Sequence, residues 1–439
     1  MKLQAKKFLN VFSQKRLMGG ALVLALTQFG ASLAGLIRDR VLTQTFPNLS
    51  VVDVYIASFR PSDLLFQVSI MAGFSVALVP LLARYKAERK PRQMSDLLSG
   101  VTGAATLAFG LIALLMALAF PNIAPYLTDF EGEALALYIN FGRIALLTNF
   151  LFVFGNAFGQ YLITVQKYWV YGITPILYTL GTIGGTILLT PMYGAYGPIL
   201  GTLSGAIVYV VLRAVALLHA GYRPRLLLWH PDIKELGWLM LPRMLALGAL
   251  QVELLFFDKI ASNLGSGAVT VNAYARNFQS VVIGIAGIAL AQSAFSLLSQ
   301  AAAKKEGKRF WIYLRKGSLL LLALTIPGAA LLYLVAPIAA DLVNLERELA
   351  LFSLCLGLYA ISIPFESLNH LLLRAFYAVK DTMIPAGLSA LNGIVAIAIS
   401  FTLAPRYGVL SLAVGFTAGQ IVQLIGLALL LPKSARSLK

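Results

Sequence analysis

Eight ionisable side chains stand within or beside long apolar runs of this 439-residue chain. Arg38, Asp39, Asp53, Arg60 and Asp63 come early; Glu253, Asp258 and Arg276 come in the second half. A charge in such a run is costly unless it meets a cavity or a partner. Arg38 and Arg60 carry guanidinium forks, the shape that grips a phosphate through parallel N–H bonds. Asp39, Asp53 and Asp63 are the acids able to neutralise them when no ligand is bound. Arg60 and Asp63 share a helix face at a spacing of three, so a plain mutual pair is the competing reading. Arg276 repeats the cationic role later in the chain. Glu253 and Asp258 are acids near one helix; they either hold H⁺ or Na⁺, or neutralise Arg243 or Arg276. Arg143 and Arg213 also lie in apolar runs, and Arg213 is near enough to an end to snorkel.

Other chemistries lack their residues. Cys355 is the single cysteine, which leaves no disulfide and no thiolate metal site. His219, His230 and His370 are scattered, and no helix is expected to pair a histidine with acids. There is no GxxxxGK[ST] phosphate loop and no nucleophile elbow, so no cofactor and no enzymatic step are expected. Any pumping must draw on an Na⁺ or H⁺ gradient, the membrane potential or substrate supply.

The elements that must position these residues are helices in lipid. Hydrophobic residues make up 59% of the chain and charged ones 12%, against about a quarter in soluble proteins. Only helices and closed barrels satisfy the backbone in a bilayer, and these runs are continuous rather than alternating. About twelve spans are expected: 17–37, 51–82, 96–120, 136–164, 171–190, 196–218, 236–257, 268–299, 312–334, 349–373, 383–403 and 408–431. Met1 to Arg16 is basic and runs into a full-length span, which argues against a cleaved leader. The net charge of +17 is carried between the spans, where it sets topology and meets anionic headgroups; nucleic acid is not an expected partner. Of the 35 Lys and Arg residues, 25 fall in one alternating set of loops and five in the other. That asymmetry puts both termini in the cytoplasm.

The chain also repeats. A shift of 219 residues lays Asp39-Arg40 on Asp258-Lys259, Tyr55 on Tyr274 and Phe59 on Phe278. The offset equals six spans, which implies a parallel repeat: two pseudo-symmetric six-helix lobes around a central cavity, residues 1–222 and 223–439. The basic stretch Gly221 to Pro231 is then the linker. Pro61, Pro80, Pro175, Pro242, Pro327, Pro364 and Pro385 interrupt spans, and Gly181 to Gly185 offers close packing.

Three stretches resemble one family. Gly35-Leu36-Ile37-Arg38-Asp39, then Asp53 to Phe59, Gly73-Phe74-Ser75 and Val79-Pro80, are similar to the MurJ/MviN signature through the first two spans. Arg374 to Thr382 with Pro385 resembles the family's turn between spans 10 and 11, a turn shared with the wider superfamily of drug and oligosaccharide-lipid exporters. Gly265-Ser266-Gly267-Ala268-Val269 with Tyr274-Ala275-Arg276 resembles the start of span 8.

The resemblance implies a bacterial inner-membrane flippase that moves lipid II, an undecaprenyl-diphosphate-linked peptidoglycan precursor, from the cytoplasmic to the periplasmic leaflet by alternating access. Its partners would be the lipid-linked sugar and membrane lipids, and a monomer is expected. A cationic cavity between lobes would hold the diphosphate, and membrane potential or Na⁺ would reset it. The chain departs from the pattern at Ser62-Asp63 and Phe66-Gln67, where the family usually has Pro-Asn and a basic pair. Met71 stands for an acid and Ser32 for an arginine, while Arg276 sits one place early with Asn277 in its slot. Family members also often have fourteen spans. The lost basic pair keeps three alternatives open: a flippase for another polyprenyl-linked oligosaccharide, an ion-coupled drug exporter of the same fold, and a non-transporting scaffold. The retained Arg38, Asp39, Asp53 and Arg60 favour lipid II.

Overall fold

The computed structural model describes the backbone of residues 2–74 and 78–438. Every regular element among them is helical. In chain order these are α1 (Lys2–Thr45), α2 (Ser50–Phe66), α3 (Val79–Ala87), α4 (Pro91–Leu127), α5 (Gly132–Thr164), α6 (Tyr168–Leu188), α7 (Thr190–Tyr193), α8 (Gly197–His219), α9 (Ile233–Ser262), α10 (Ala268–Val282), α11 (Ala289–Ala303), α12 (Gly307–Leu334), α13 (Ala336–Leu342), α14 (Leu349–Ala378), α15 (Met383–Tyr407) and α16 (Leu410–Ser434). Among the described residues nine helical stretches are long and apolar enough to cross a membrane. The expected spans at 51–82, of which 75–77 lie outside the described residues, 171–190 and 236–257 coincide with helices where described but fall outside those nine. α6 is diluted by Gly, Thr and Tyr, and α9 carries Glu235, Arg243, Glu253, Asp258 and Lys259.

The internal repeat is visible in backbone geometry. Turns after α3 and α11 put Arg89 and Lys305 in the left-handed region, with Lys90 N–H returning to Tyr85 O and Glu306 N–H to Ala301 O. Turns after α5 and α14 do the same with Gln166 and Lys380. This is the six-to-one helix stop, here built on basic residues in three of four cases; their charge suits the negative end of the helix. Gly194 and Gly408 share φ 56° with ψ of −130° and −140°, a conformation open in practice to glycine alone. π-helical turns interrupt the second span at Gln67–Met71 and its counterpart at Ile283–Ile288.

Two compact units emerge from the contacts. Unit 1 is Met1–Thr45, Leu65–Pro121 and Ile139–Arg243; unit 2 is Phe46–Leu64, Asn122–Tyr138 and Met244–Lys439. The grouping is not a cut into consecutive halves: 46–64 and 122–138 go with the later helices, and 223–243 with the earlier ones.

In unit 1, Gly181 and Gly185 of α6 face Gly201 and Gly205 of α8, and a methyl at any of them would overlap the opposing backbone. Small residues let helices approach closely where the solvent itself is apolar. In unit 2, Gly415 and Gly419 of α16 play the same part against Ser400, Ala396 and Asn392 of α15.

The expected linker is strapped onto unit 1. Tyr222 and Ser99 hydroxyls are 2.8 Å apart, and Arg225 pairs with Asp96 at 3.1 Å. Arg84 and the Tyr85 hydroxyl donate to the Asp232 carboxylate at 2.7 and 2.8 Å. Burial and that carboxylate push the Tyr85 phenol above its ordinary value. Gly103 leaves the room that the Leu227 carbonyl occupies.

Candidate functional site

Six of the eight expected residues belong to unit 2: Asp53, Arg60, Asp63, Glu253, Asp258 and Arg276. Asp53 lies in the first turn of α2 and is buried. Its carboxylate accepts from Gly267 N at 2.6 Å, Thr270 N at 2.8 Å and Thr270 Oγ1 at 2.5 Å. Gly267, the residue before α10, has no side chain to cap that helix, so Asp53 caps it from another helix. The first N–H groups of a helix have no internal partner, and a carboxylate there also meets the positive end of the dipole. Ser266 Oγ donates to the Asn48 carbonyl beside it.

Two turns along α2, Arg60 Nε donates to Asp258 Oδ2 at 2.6 Å. Asp63, partly buried, adds its charge to the same guanidinium. The partner from α9 is therefore one that lies 198 residues away in sequence, beyond the reach of the i,i+3 rule. Arg276 Nη1 of α10 donates to Glu253 Oε1 at 3.2 Å, and its guanidinium carbon lies 4.6 Å from the Phe416 ring centroid. Of the two roles open to Glu253 and Asp258, ion pairing is the one the contacts display. Lys259, next to Asp258, pairs with Asp129 at 2.5 Å.

Sequence reasoning missed the polar cluster beside Arg276. One turn on, Gln279 Nε2 donates to Glu366 Oε2 at 2.6 Å and to Ser362 Oγ at 3.2 Å. Glu366 Oε1 is 3.9 Å from His370 Nε2, one turn along α14. The expectation that no helix pairs a histidine with an acid is thus corrected: the i,i+4 spacing of Glu366 and His370 was readable in span 349–373. The repeat offset also carried a signal, since it lays Arg60 on Gln279 and Asp53 on Asn272. Asn272 Oδ1 accepts from the Tyr359 hydroxyl at 2.6 Å, so the second copy keeps the polarity and drops the charge.

Glu253, Arg276, Glu366, His370, Asn392 and Gln423 line a cavity of about 180 Å³ within unit 2. Two carboxylates and one guanidinium face it. The amide oxygens of Asn369 and Asn392, which share the lining, are buried without a hydrogen-bond donor among the described residues. Unfilled acceptors of that kind suit water or a cation.

Arg38 and Asp39 belong to unit 1. Arg38 donates through Nε and Nη2 to Asp39 Oδ1 at 2.9 and 2.6 Å, and Asp39 is 4% exposed. Arg213 departs from expectation. It does not snorkel: only 1% of it is exposed. Its guanidinium donates to Thr174 Oγ1 at 2.8 Å, Gly155 O at 2.8 Å and Tyr171 O at 3.0 Å. The rings of Tyr209 and Tyr171 lie 3.9 and 4.7 Å from its carbon.

Partly buried arginines paired with buried carboxylates are thus held on the helices of a multi-span chain, and the comparison with known families says what class of protein that chain is. Residues 42–439 match the model of the lipid II flippase MurJ family. The chain belongs to that family. The lipid II flippase MurJ of Burkholderia cenocepacia is 24% identical over 418 residues, covering 90% of this chain and 80% of the relative. A solved lipid II flippase MurJ in an inward closed conformation superposes with a TM-score of 0.76 at 18% identity, over 93% of this chain and 87% of that one. An inward-facing multidrug resistance transporter of the MATE family also reaches 0.76, at 16% identity over 93% and 95%. The fold is therefore common to flippase and drug exporter, and family membership rests on the sequence match.

Proposed function

We propose that this chain carries lipid II from the cytoplasmic to the periplasmic leaflet of a bacterial inner membrane, as a monomer, by alternating access of two six-helix lobes, without chemistry on the substrate. The family match across residues 42–439 carries the substrate assignment. That match outweighs the lost basic pair at Phe66 and Gln67, the one departure that leaned toward the alternatives.

Arg60, Arg276 and Arg38 would take the anionic headgroup, with Asp258, Glu253 and Asp39 as the counter-charges they hold when empty. The support is energetic. An arginine already paired to a carboxylate can exchange that partner for a diphosphate without passing through a bare buried charge. Asp53 and Asp63 would serve the same site, Asp53 by fixing α2 to the start of α10 and Asp63 by adding charge beside Arg60.

Coupling would run through Na⁺ or H⁺ at Glu253 and the oxygens around its cavity, with Asp258 as the second acid. The potential would help as well: a charge crossing the full field at 100 mV gains about 2.3 kcal/mol. Both termini would be cytoplasmic, as the loop charges require.

Rescue of a flippase-depleted bacterium tests the reading. Arg60→Ala should abolish growth while the protein stays at normal levels in the membrane, and Arg60→Lys should rescue in part because it loses the fork. Full growth with both Arg38→Ala and Arg60→Ala would remove these residues from the substrate site. Glu253→Gln should change the Na⁺ or pH dependence of transport; an unaltered dependence would leave Glu253 as an ion-pair partner alone.

A further inference from the structure

Unlike Arg60 and Arg276, Arg143 has no carboxylate partner among the described residues. Arg143 of α5 donates from Nε to the Ala117 carbonyl of α4 at 3.0 Å, and no ion pair forms at it among the described residues. Among the described residues no carboxylate balances its charge. The side chain is exposed.

Its surroundings are apolar. Arg143 lines a hollow of about 310 Å³ between α4 and α5, with Gly110, Ala113, Ala117, Leu147 and Phe150. Small residues on α4 make the hollow, and Phe150 lies close to where a Gly110 side chain would begin. The outer face of α4 around it, Leu107, Leu111, Leu114, Leu115 and Leu118, is more than half exposed at every position. In a chain of this class such a face meets acyl chains.

Depth places the charge. From Arg143 to the end of α5 at Thr164 is about 32 Å at 1.5 Å per residue. Lys167 and Trp169 follow at once, the kind of residues that mark a headgroup level. The hydrocarbon core is about 30 Å thick, so Arg143 lies near the opposite boundary. Lipid phosphates of that leaflet come within reach of a guanidinium.

We propose that this groove is a phospholipid site: Arg143 binds the phosphate of one anionic phospholipid in the leaflet opposite the basic loops, and the hollow takes part of one acyl chain. One unpaired positive charge matches one phosphodiester. A diphosphate carrier would leave negative charge over, because Arg143 is the only cation among the described residues that line the hollow. The site is separate from the residues assigned to lipid II, all of which lie elsewhere in the chain.

Native mass spectrometry of the full chain released from nanodiscs of equal phosphatidylglycerol and phosphatidylcholine tests this. The wild type should retain one phosphatidylglycerol. Arg143→Gln, which removes the charge and keeps a polar side chain, should lower that retention about tenfold. Gly110→Leu keeps the charge and fills the hollow, and should lower it as well. Thermal unfolding of each variant in the same discs checks that the fold persists; a variant that unfolds is replaced by Ala113→Leu, with the same expectation. Equal retention by wild type and Arg143→Gln overturns the proposal, as does indifference between the two lipids. Displacement of phosphatidylglycerol by an equal fraction of undecaprenyl phosphate also overturns it, by assigning the groove to a polyprenyl carrier.

Discussion

Arg213 in unit 1, buried, and Arg60 in unit 2, partly buried, are both guanidiniums on membrane helices, and they are satisfied in opposite ways. Arg213 meets two backbone carbonyls, a threonine hydroxyl and two tyrosine rings, and none of these is a formal charge. Arg60 meets the carboxylate of Asp258. Carbonyls and rings belong to the packing itself, so Arg213 cannot be released without loosening α5, α6 and α8 together. A carboxylate at the end of a side chain can move aside. The Arg60 side chain keeps 19% of its surface open, which leaves room for a ligand to approach. The lesson is that dipoles and π faces lock a buried cation, while a carboxylate holds it ready for exchange.

Arg213→Ala is the harshest test of that contrast. It opens a cavity and strips a donor from three acceptors at once, and should cost about 2–5 kcal/mol. The thermal midpoint of the purified protein should fall steeply, with transport lost in proportion to folded protein. Arg213→Lys should not restore it, since an ammonium cannot reach Thr174, Gly155 and Tyr171 as a planar fork does. A stable Arg213→Ala protein that still fails to transport would move this residue into the functional group and end the comparison.

Asp258→Asn should behave differently. Transport should fall at least about tenfold while the unfolding midpoint moves less than in Arg213→Ala. Adding Arg60→Gln should return part of the stability, with a coupling of about 1–3 kcal/mol in a double-mutant cycle. Additive losses in the two single variants would mean that the pair is not energetically linked. Asp53→Ala should give the smallest effect. It removes one cap from α10 and should cost about 1–2 kcal/mol, with Asp53→Asn nearer to wild type because one acceptor oxygen remains. A loss of transport in Asp53→Asn without any change in unfolding would give Asp53 a direct role with substrate.

Several features were legible in particular residues. The start of α10 at Ala268, of α14 at Leu349 and of α15 at Met383 coincide with the expected spans, because a run's apolarity and its flanking Gly, Pro and charge are local properties. The basic turns at Arg89 and Lys305 were visible as charge, and their shared left-handed geometry explains why they recur. Glu366 and His370 were readable too, but a single acid inside a span attracts notice only when its partner, here Gln279 of another helix, is known. The division into consecutive halves was an inference from offset alone. Contacts regroup 46–64 and 122–138, since a helix end packs where its neighbours are in space.

By itself the amino-acid order determined that this chain dissolves in lipid, that it is helical, where its helices run, which family it resembles and which ionisable residues demand an explanation. Only the tertiary structure decided their partners: Asp258 rather than Asp63 alone for Arg60, the amides of α10 for Asp53, two tyrosines for Arg213 and an open apolar groove for Arg143. The reason is one of range. Solvation preference and helix periodicity act over a few residues and can be read along the chain. The counter-charge of a buried group is chosen within a few ångströms of space, from residues that the chain order keeps up to two hundred positions apart.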